Sequence, residues 1–178
     1  VSEIKKATKL PVILFPGDVH QITNKADGIL FLSLLSGRNP EYLIEQQVKA
    51  APILQQTDLE IIPTGYLLID GGSETAVQKV SNTKPISQNN IDLIVNTSLA
   101  GKFSGKKLIY LEAGSGATKV ISKKIIKKVS DNLNIPLLIG GGIKSKQQVE
   151  TAFNAGADLV VIGTAFEKNI AFFNDLKK

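Results

Sequence analysis

The sequence predicts an α/β fold in the form of a parallel (β/α)8, or TIM, barrel. Six apolar runs rich in β-branched residues recur along the chain, and segments with helical periodicity lie between most of them. Strands that alternate with helices imply parallel pairing through right-handed crossovers. An open doubly wound sheet satisfies the same pattern, but the G-x-G-x-x-G fingerprint of its nucleotide-binding form is missing after the first strand.

The predicted strands are apolar on both faces in several cases, which is expected when a sheet is covered on each side. In chain order they are residues 12–15, 28–34, 60–69, 107–112, 136–139 and 159–162. Helical spacing is clearest at residues 40–54 and 145–155.

Polar or glycine residues mark the expected carboxyl ends of these strands, which is where TIM-barrel active sites lie. They are residues 16–18, Ser33, residues 64–66, Glu112, residues 140–142 and residues 163–164. This distribution is the reason to favour the barrel.

The length of the chain sets the number of units. Eight strand-helix units need about 250 residues, whereas this chain has 178. We therefore expect one domain, residues 1–178, that corresponds to strands three to eight, with the first two units absent from this chain.

Composition narrows the classes of function. No Cys and one His exclude disulfides, thiolate chemistry and a multi-His metal site, so any metal would be oxygen-bound. No apolar run reaches the roughly 18 residues of a membrane span, and the N-terminal residues lack the apolar core of a signal peptide, so we expect a cytoplasmic protein.

The net charge of +5 comes largely from lysines in residues 119–128, which alternate with Val and Ile at helical spacing. This pattern predicts the solvated face of an amphipathic helix rather than a nucleic-acid surface, because aromatic residues are only 6% and lie mostly in apolar runs. Association with an anionic ligand or membrane surface stays open. The polar, turn-rich segment 70–90 is expected to form a flap over the active-site face.

Two glycine motifs predict a phosphate site. Gly140, Gly141 and Gly142 follow one strand and precede a helix that Ser145 would cap, and Gly163 and Thr164 end the last strand and open another helix. Glycines at such positions let main-chain N–H groups approach a phosphate, and the loops after strands seven and eight commonly form this site in TIM barrels. Many phosphate-binding barrels of unrelated chemistry share the signal.

The run 107–117 ends an apolar strand in Glu112 beside Gly114, Ser115 and Gly116. Tyr110 and Glu112 lie two apart and so share one face of that strand. A carboxylate at the mouth of the barrel can accept hydrogen bonds from a polyol or remove a proton. The alternative is that Glu112 only caps or pairs with a neighbouring Lys.

The motifs Tyr-Leu-Glu-Ala-Gly-Ser-Gly-Ala at 110–117, Gly-Gly-Gly-Ile at 140–143 and Gly-Thr at 163–164 resemble those of the geranylgeranylglyceryl phosphate synthase family and its heptaprenylglyceryl relatives. Segments 11–17, 33–40 and 62–66 support the resemblance, which runs along nearly the whole chain. The Ala-Gly-Ser-Gly at 113–116 resembles the second group of that family.

The resemblance implies an Mg²⁺-dependent prenyltransferase that joins a polyprenyl diphosphate, geranylgeranyl or longer, to the C3 hydroxyl of sn-glycerol 1-phosphate. Glu112 would lie nearest the attacking hydroxyl. The residues that would hold glycerol phosphate are Tyr110, Leu111, Glu112, Ala113, Gly114, Ser115, Gly116, Gly141, Gly142, Gly163 and Thr164. Candidates for an apolar prenyl groove are Phe15 and Tyr66, with Leu67 and Leu68 beside them. A homo-oligomer is expected.

One part of the family pattern is missing. The Mg²⁺-linked Asp of the family lies at the end of the first strand, and neither that segment nor the second strand is present in these 178 residues, so we assign no metal ligand in this chain. Two other classes stay open: another phosphate-binding barrel enzyme, such as a phosphosugar isomerase or lyase, and a non-catalytic phosphate-binding barrel.

Overall fold

A computed structural model describes residues 1–177. All six strands pair in parallel in a single sheet whose order is that of the sequence. The strands are β1 (Ile13–Leu14), β2 (Gly28–Leu34), β3 (Glu60–Leu68), β4 (Leu108–Glu112), β5 (Leu137–Gly140) and β6 (Leu159–Val161). Sequential order is the arrangement of consecutive barrel units, whereas a doubly wound sheet reverses direction. The predicted class of fold is therefore confirmed.

Eight α-helices accompany these strands within the described residues. They are α1 (Ser2–Ala7), α2 (Gln46–Leu54), α3 (Ala76–Ser81), α4 (Ile91–Phe103), α5 (Lys123–Ser130), α6 (Lys146–Asn154), α7 (Thr164–Lys168) and α8 (Phe172–Lys177). A 3₁₀ turn occupies Val19–Gln21, and a π-helical turn, Glu41–Glu45, continues into α2. Among the described residues no helix has the length and apolarity needed to span a bilayer.

The sheet separates two apolar layers. On the outer face, side chains such as Leu67, Ile109 and Leu111 pack against helices α4, α5 and α6. On the inner face, Tyr66, Leu68 and neighbouring strand residues form a second buried cluster. Because side chains alternate along a strand, each odd position of β3 and β4 faces the helices and each even position faces the interior.

Three local predictions need correction. The amphipathic helix begins at Lys123, not at residue 119; Ile125 and Ile126 are buried and the lysines of α5 are exposed. The segment 70–90, predicted as a polar, turn-rich flap, has more regular structure than its sequence indicates, because it contains α3 and Ile86 forms a bridge with Ile69. Segment 64–66 lies inside β3 and not at its end.

Ser33 was expected at the active-site rim and instead lies on the outer face of β2. Its hydroxyl accepts hydrogen bonds from Gln47 Nε2 at 3.0 Å and from Lys106 Nζ at 2.8 Å. The alternation of β2 is the reason, since Leu32 and Leu34 take the inner positions. Ser33 is therefore a structural contact between β2, α2 and the loop before β4.

Candidate active site

The side chains of Tyr110 and Glu112 meet on the inner face of β4. The Tyr110 hydroxyl donates to Glu112 Oε2 at 2.5 Å, and the main-chain N–H of Gly114 donates to Glu112 Oε1 at 2.7 Å. Glu112 is only 8% exposed. Each carboxylate oxygen therefore has one donor, and the carboxylate is held in one orientation at the carboxyl end of its strand.

Burial sets the proton affinities in this pair. Burial raises the pKa of Glu112, and the hydrogen bonds donated by Tyr110 and Gly114 offset part of that rise. Burial and the nearby Glu112 charge raise the pKa of Tyr110 and of Tyr66 above the usual tyrosine value. Tyr110 is thus a hydrogen-bond donor throughout the physiological range, and Glu112 has the raised proton affinity that suits a general base.

Three aromatic rings form one wall of the site. Tyr66 and Tyr110 contact edge to face with ring centroids 5.3 Å apart, and Phe15 lies 5.5 Å from Tyr110 and 6.0 Å from Tyr66. These separations are typical of stacked and edge-to-face pairs. Phe15 and Tyr66 also border an apolar cavity, which Glu112 does not border.

The loop after β5 packs directly against the loop after β4. Gly141 has φ +87°, and a Cβ on it would lie 2.6 Å from Glu112 Oε1 and 2.5 Å from the Gly114 nitrogen. Both the left-handed backbone and the missing space require glycine here. Glu112 and Gly141 therefore lie on the same rim of the sheet.

The loop after β6 joins them. The hydroxyls of Ser115 and Thr164 are 2.9 Å apart, and Gly163 precedes α7 as its N-cap. A side chain at Gly116 or Gly163 would meet nothing within 4 Å, so open space borders both residues. We call the three loops, residues 113–117, 140–142 and 163–164, the glycine cradle.

Lysine and serine residues complete the surroundings of the glycine cradle. Lys144 Nζ donates to the carbonyl of Ala117 at 3.2 Å, which places a positive charge beside the loop after β4. Ser145 caps α6, as predicted, with its hydroxyl accepting from the Gln148 N–H. Positive charge and small residues beside open space are features that suit a phosphate ligand.

The segment that follows the loop after β4 is held in place by hydrogen bonds to the side chain of Gln88. Gln88 Nε2 donates to the carbonyls of Asp70 at 2.9 Å and Val120 at 3.1 Å, and its Oε1 accepts from the Ser122 N–H at 3.1 Å. The Gly71 carbonyl accepts from the N–H groups of residues 118 and 119. Gln88 has no distinguishing local sequence pattern, and we did not predict its role.

Not every residue of the expected site can offer its side chain to a ligand. Leu111 and Ala113 are fully buried on the outer face, and the Ala113 N–H is already bonded to the Gly140 carbonyl at 3.0 Å. Leu67 and Leu68 are also fully buried in core layers and do not border the apolar cavity. Strand alternation is the physical reason for Leu67, Leu111 and Ala113, whereas Leu68 faces the interior and is buried in the inner cluster.

The apolar cavity has a volume of about 360 Å³ and lies beside the aromatic wall. Phe15 and Tyr66, the two predicted groove residues, both border it, and so does Gln47, whose Oε1 is buried without a hydrogen-bond partner. The other bordering residues come from the loop after β1, from β2, from the helical segment 42–54 and from α3; they are Pro16, Gly17, Asp18, Val19, Ile22, Ile29, Leu30, Phe31, Leu32, Leu34, Tyr42, Gln46, Ala50, Leu54, Ala76, Val77 and Val80.

The described residues do not fit a metal site. Within residues 1–177 no group of three or more His, Asp or Glu side chains is arranged to hold an ion. Glu112, the carboxylate of the site, already receives a donor at each oxygen.

The chain is similar to known proteins along almost its whole length. The model of the PcrB family matches residues 1–177. The chain is 65% identical over 167 residues to the geranylgeranylglyceryl phosphate synthase of Zunongwangia profunda, covering 94% of this chain and 71% of that protein. It is 40% identical over 178 residues to the synthase of Methanosphaera stadtmanae, covering 100% of this chain and 72% of that protein.

A solved structure shares the fold along nearly the whole chain. The (S)-3-O-geranylgeranylglyceryl phosphate synthase of Thermoplasma acidophilum, in complex with its substrate sn-glycerol-1-phosphate, superposes with a TM-score of 0.92 at 36% identity, covering 98% of this chain and 70% of that one. The corresponding enzyme of Thermoplasma volcanium gives a TM-score of 0.90 at 38% identity, with 99% and 70% covered.

Proposed function

The chain belongs to the PcrB family, and from this membership we propose that it is a prenyltransferase that forms an ether between a polyprenyl diphosphate and the C3 hydroxyl of sn-glycerol 1-phosphate. Relatives that cover almost the whole chain carry the name geranylgeranylglyceryl phosphate synthase. The observation that carries the proposal is the fixed Tyr110–Glu112–Gly114 contact at the edge of the glycine cradle.

The acceptor substrate would lie between the glycine cradle and Glu112. Its phosphate would be held by main-chain N–H groups and hydroxyls of the cradle, with Lys144 nearby, as the Ser115–Thr164 contact and the open space at Gly116 and Gly163 suggest. Its glycerol hydroxyls would then face Glu112. Positioning of this kind can supply several kcal/mol of the reduction in the barrier.

The chemistry follows from that arrangement. The C3 oxygen of the glycerol attacks C1 of the prenyl donor, the bond between C1 and the diphosphate oxygen breaks, and the electron pair leaves with pyrophosphate. The proton of the C3 hydroxyl passes to the Glu112 carboxylate. Burial has raised the proton affinity of this group, while Tyr110 and Gly114 keep it in place.

The prenyl tail would enter the apolar cavity past Phe15 and Tyr66. The cavity borders residues of both faces of β2: Leu30 and Leu32 on the inner face, and Ile29 on the outer face, where it packs with Ala50 and Leu54 of α2. Its apolar walls suit a hydrocarbon chain, because transfer of apolar surface from water into such a cavity is favourable.

Mg²⁺ would neutralise part of the charge on the diphosphate when bound. We attribute no step to it, because the described residues of this chain do not form a site for it. The prenyl length, a homo-oligomeric assembly, contact with a membrane surface and a cytoplasmic location remain predictions.

One assay tests the proposal directly. The purified protein is incubated with Mg²⁺, sn-glycerol 1-phosphate and prenyl diphosphates of graded length, and the products are treated with alkali. An alkali-stable prenyl ether is the expected product. A parallel reaction with sn-glycerol 3-phosphate tests the choice of enantiomer, and the absence of any ether product in either reaction would overturn the proposed function.

A further inference from the structure

One polar residue interrupts an otherwise apolar wall of the cavity. Gln47, Ala50 and Leu54 are the buried residues of α2, and their spacing of three and four positions puts them on one face of the helix. All three border the apolar cavity. An apolar side chain suits such a face, so the glutamine at its first position is the residue that the surroundings do not favour.

Gln47 lies between the two ends of the cavity. At one end is Tyr66, which pairs with Leu34 in the sheet, and at the other end Ile29 packs against α2. Leu34 and Ile29 are five positions apart in β2, which is about 16 Å at the rise of a strand. Because Gln47 contacts β2 at residues 32 and 33, a tail that enters past Tyr66 must pass Gln47 before it reaches Ile29.

The amide of Gln47 is held by one end only. Its Nε2 donates to the Leu32 carbonyl and to Ser33 Oγ, the latter at 3.0 Å. Its Oε1 is buried and has no hydrogen-bond partner among the described residues. An unpaired buried acceptor is costly, so the two donated bonds hold this orientation by a narrow margin.

A third residue, Lys106, holds Ser33 in place. Lys106 Nζ donates to Ser33 Oγ at 2.8 Å, and Lys106 forms no ion pair within residues 1–177. Burial lowers the pKa of Lys106, which reflects the cost of removing its ammonium group from water. The Ser33 oxygen thus accepts two hydrogen bonds, and Gln47, Ser33 and Lys106 form one connected chain of polar groups.

Water has access to the cavity that Gln47 borders. Phe15 and Val80 also border it, and their side chains are 48% and 67% exposed. Loss of the Ser33 oxygen would leave Gln47 Nε2 with the Leu32 bond alone. The amide would then gain by turning into the cavity, where water hydrates both of its ends. In that position it would occupy space that the prenyl tail needs.

We propose that Gln47 determines how long a prenyl tail the enzyme accepts, and that Ser33 and Lys106 are positioning residues that hold its amide against β2 and out of the cavity. The inference rests on the proposed function for the identity of the tail. With the hydrogen bonds intact, the cavity is open from Tyr66 to Ile29. With them broken, the Gln47 amide blocks the passage between those two residues.

The test compares the binding of two donor analogues to the whole protein, with Mg²⁺ present throughout. Calorimetry gives the Kd of the dimethylallyl and the geranylgeranyl thiolodiphosphate, in which sulfur replaces the oxygen between C1 and the diphosphate and transfer is slow. Ser33→Ala should raise the Kd of the geranylgeranyl compound by about fivefold relative to the dimethylallyl compound, the equilibrium shift expected for one neutral hydrogen bond. Because the head group is the same, the ratio of the two Kd values cancels any loss of folded protein.

Lys106→Met should shift the ratio in the same direction, because the Ser33 side chain loses the contact that fixes its rotamer. Gln47→Met keeps the length of the side chain but has no polar end to hydrate, so it should bind the geranylgeranyl analogue at least as tightly as the parent. Ser33→Ala combined with Gln47→Met should therefore show the parent's ratio of Kd values, a non-additive result that identifies the amide as the obstacle.

Ser98→Ala and Lys107→Met are the matched controls. Ser98 is a fully buried serine whose hydroxyl donates to the Ile94 carbonyl at 2.8 Å, Lys107 is exposed, and neither residue borders the cavity. An unchanged ratio in Ser33→Ala would overturn the proposal, and so would a shift that persists in the double variant. If Ser33→Ala does not fold, an unchanged ratio in Lys106→Met, a substitution at a half-buried residue, has the same meaning.

Binding and transfer separate the two proposals. Length-dependent binding that follows Ser33 and Gln47 without any prenyl transfer would contradict the proposed function and leave Gln47 as the determinant of tail length. Prenyl transfer with the same preference for tail length in every variant would uphold the proposed function and overturn this inference.

Discussion

The hydroxyl of Tyr110 lies 2.5 Å from Oε2 of Glu112, and both side chains are buried on the inner face of β4. The two residues are only two positions apart in the sequence, but the residues that surround them come from distant parts of the chain. Phe15 directly after β1, Tyr66 of β3 and Gly141 directly after β5 close around the pair.

Removal of the Tyr110 hydroxyl should move the pH dependence of turnover. The hydrogen bond that Tyr110 donates lowers the pKa of Glu112 against the effect of burial. In Tyr110→Phe the pKa of Glu112 therefore rises further, and the acid limb of kcat moves to higher pH. Tyr66→Phe is the control, since Tyr66 makes no hydrogen bond to Glu112 among the described residues. A limb at the same pH in Tyr110→Phe and the parent would contradict this role.

Substitution of Glu112 should affect chemistry more than binding. Glu112→Gln keeps the size of the side chain and an acceptor oxygen for Tyr110 but removes the base. We expect kcat to fall by about 100-fold or more, the usual range for loss of a general base, with a much smaller change in the Kd for sn-glycerol 1-phosphate. Rapid-quench turnover and calorimetric binding measure the two quantities. Near-normal kcat would remove Glu112 from the mechanism.

The same substitution should change how stability depends on pH. Because the pKa of Glu112 is raised in the folded state, the folded protein binds more protons than the unfolded chain between the ordinary glutamate value and the raised one. The free energy of unfolding contributed by this group therefore falls as pH rises through that window. Denaturant unfolding of the parent and Glu112→Gln across the window should show the variant gaining relative stability with rising pH. An opposite slope would contradict the burial effect.

A comparison of two glycines with nearly the same φ separates the cost of backbone strain from the cost of inadequate space for a Cβ. Gly141 has φ +87° and no room for a Cβ, whereas Gly105 has φ +86° and nothing within 4 Å. Gly105→Ala should cost about 1 kcal/mol of unfolding free energy from strain alone. Gly141→Ala should cost roughly 2 kcal/mol more, because Glu112 and Gly114 must move. It should also weaken sn-glycerol 1-phosphate binding. Equal losses at both positions would show that the loops after β4 and β5 are not in tight contact.

A bulky side chain in the apolar cavity should shorten the donor that the enzyme accepts. Ala76 is exposed at the start of α3 and borders the cavity. Ala76→Phe should raise the KM for the longest prenyl diphosphates by about tenfold relative to the shortest, since loss of apolar contact discriminates by about this much. Ala100→Phe, at an exposed position of α4 outside the cavity, should leave the preference unchanged. The same preference in both variants would exclude the cavity as the tail site.

The sequence predicted the positions of the strands and of the glycine-rich loops well, because each depends mainly on the local residue pattern. Apolar β-branched runs located all six strands, and β2 has the predicted bounds. Glycine motifs after β4, β5 and β6 identified loops that do come together, as the contact of Ser115 with Thr164 demonstrates. Parallel strands of one sheet end on one edge, so a motif at each end can be assigned to the same place.

Features that depend on distant segments could not be predicted. The amphipathic pattern extends back to residue 119, but the helix starts later. The N–H of Lys119 donates to the Gly71 carbonyl, and the N–H of Ser122 donates to Gln88 Oε1. Asn39 lies in a motif that we noted, yet the sequence does not indicate that its side chain donates to the carbonyl of Ser81, 42 positions away. Ser33 faces the outer layer because the register of β2 with β3 places the side chains of Leu32 and Leu34 on the inner face of the sheet.

The three hydrogen bonds of Gln88 have a mechanical consequence. Two of them, with Val120 and Ser122, connect the segment after β3 to the segment after β4, and the third, with Asp70, lies within the segment after β3. Neither segment can therefore detach from the sheet without breaking bonds to the other. The two segments should therefore open as a single cooperative unit, and their amide protons should exchange with solvent at one shared opening rate. A change near residue 70 should then alter the local unfolding of the loop after β4 without any direct contact with the glycine cradle.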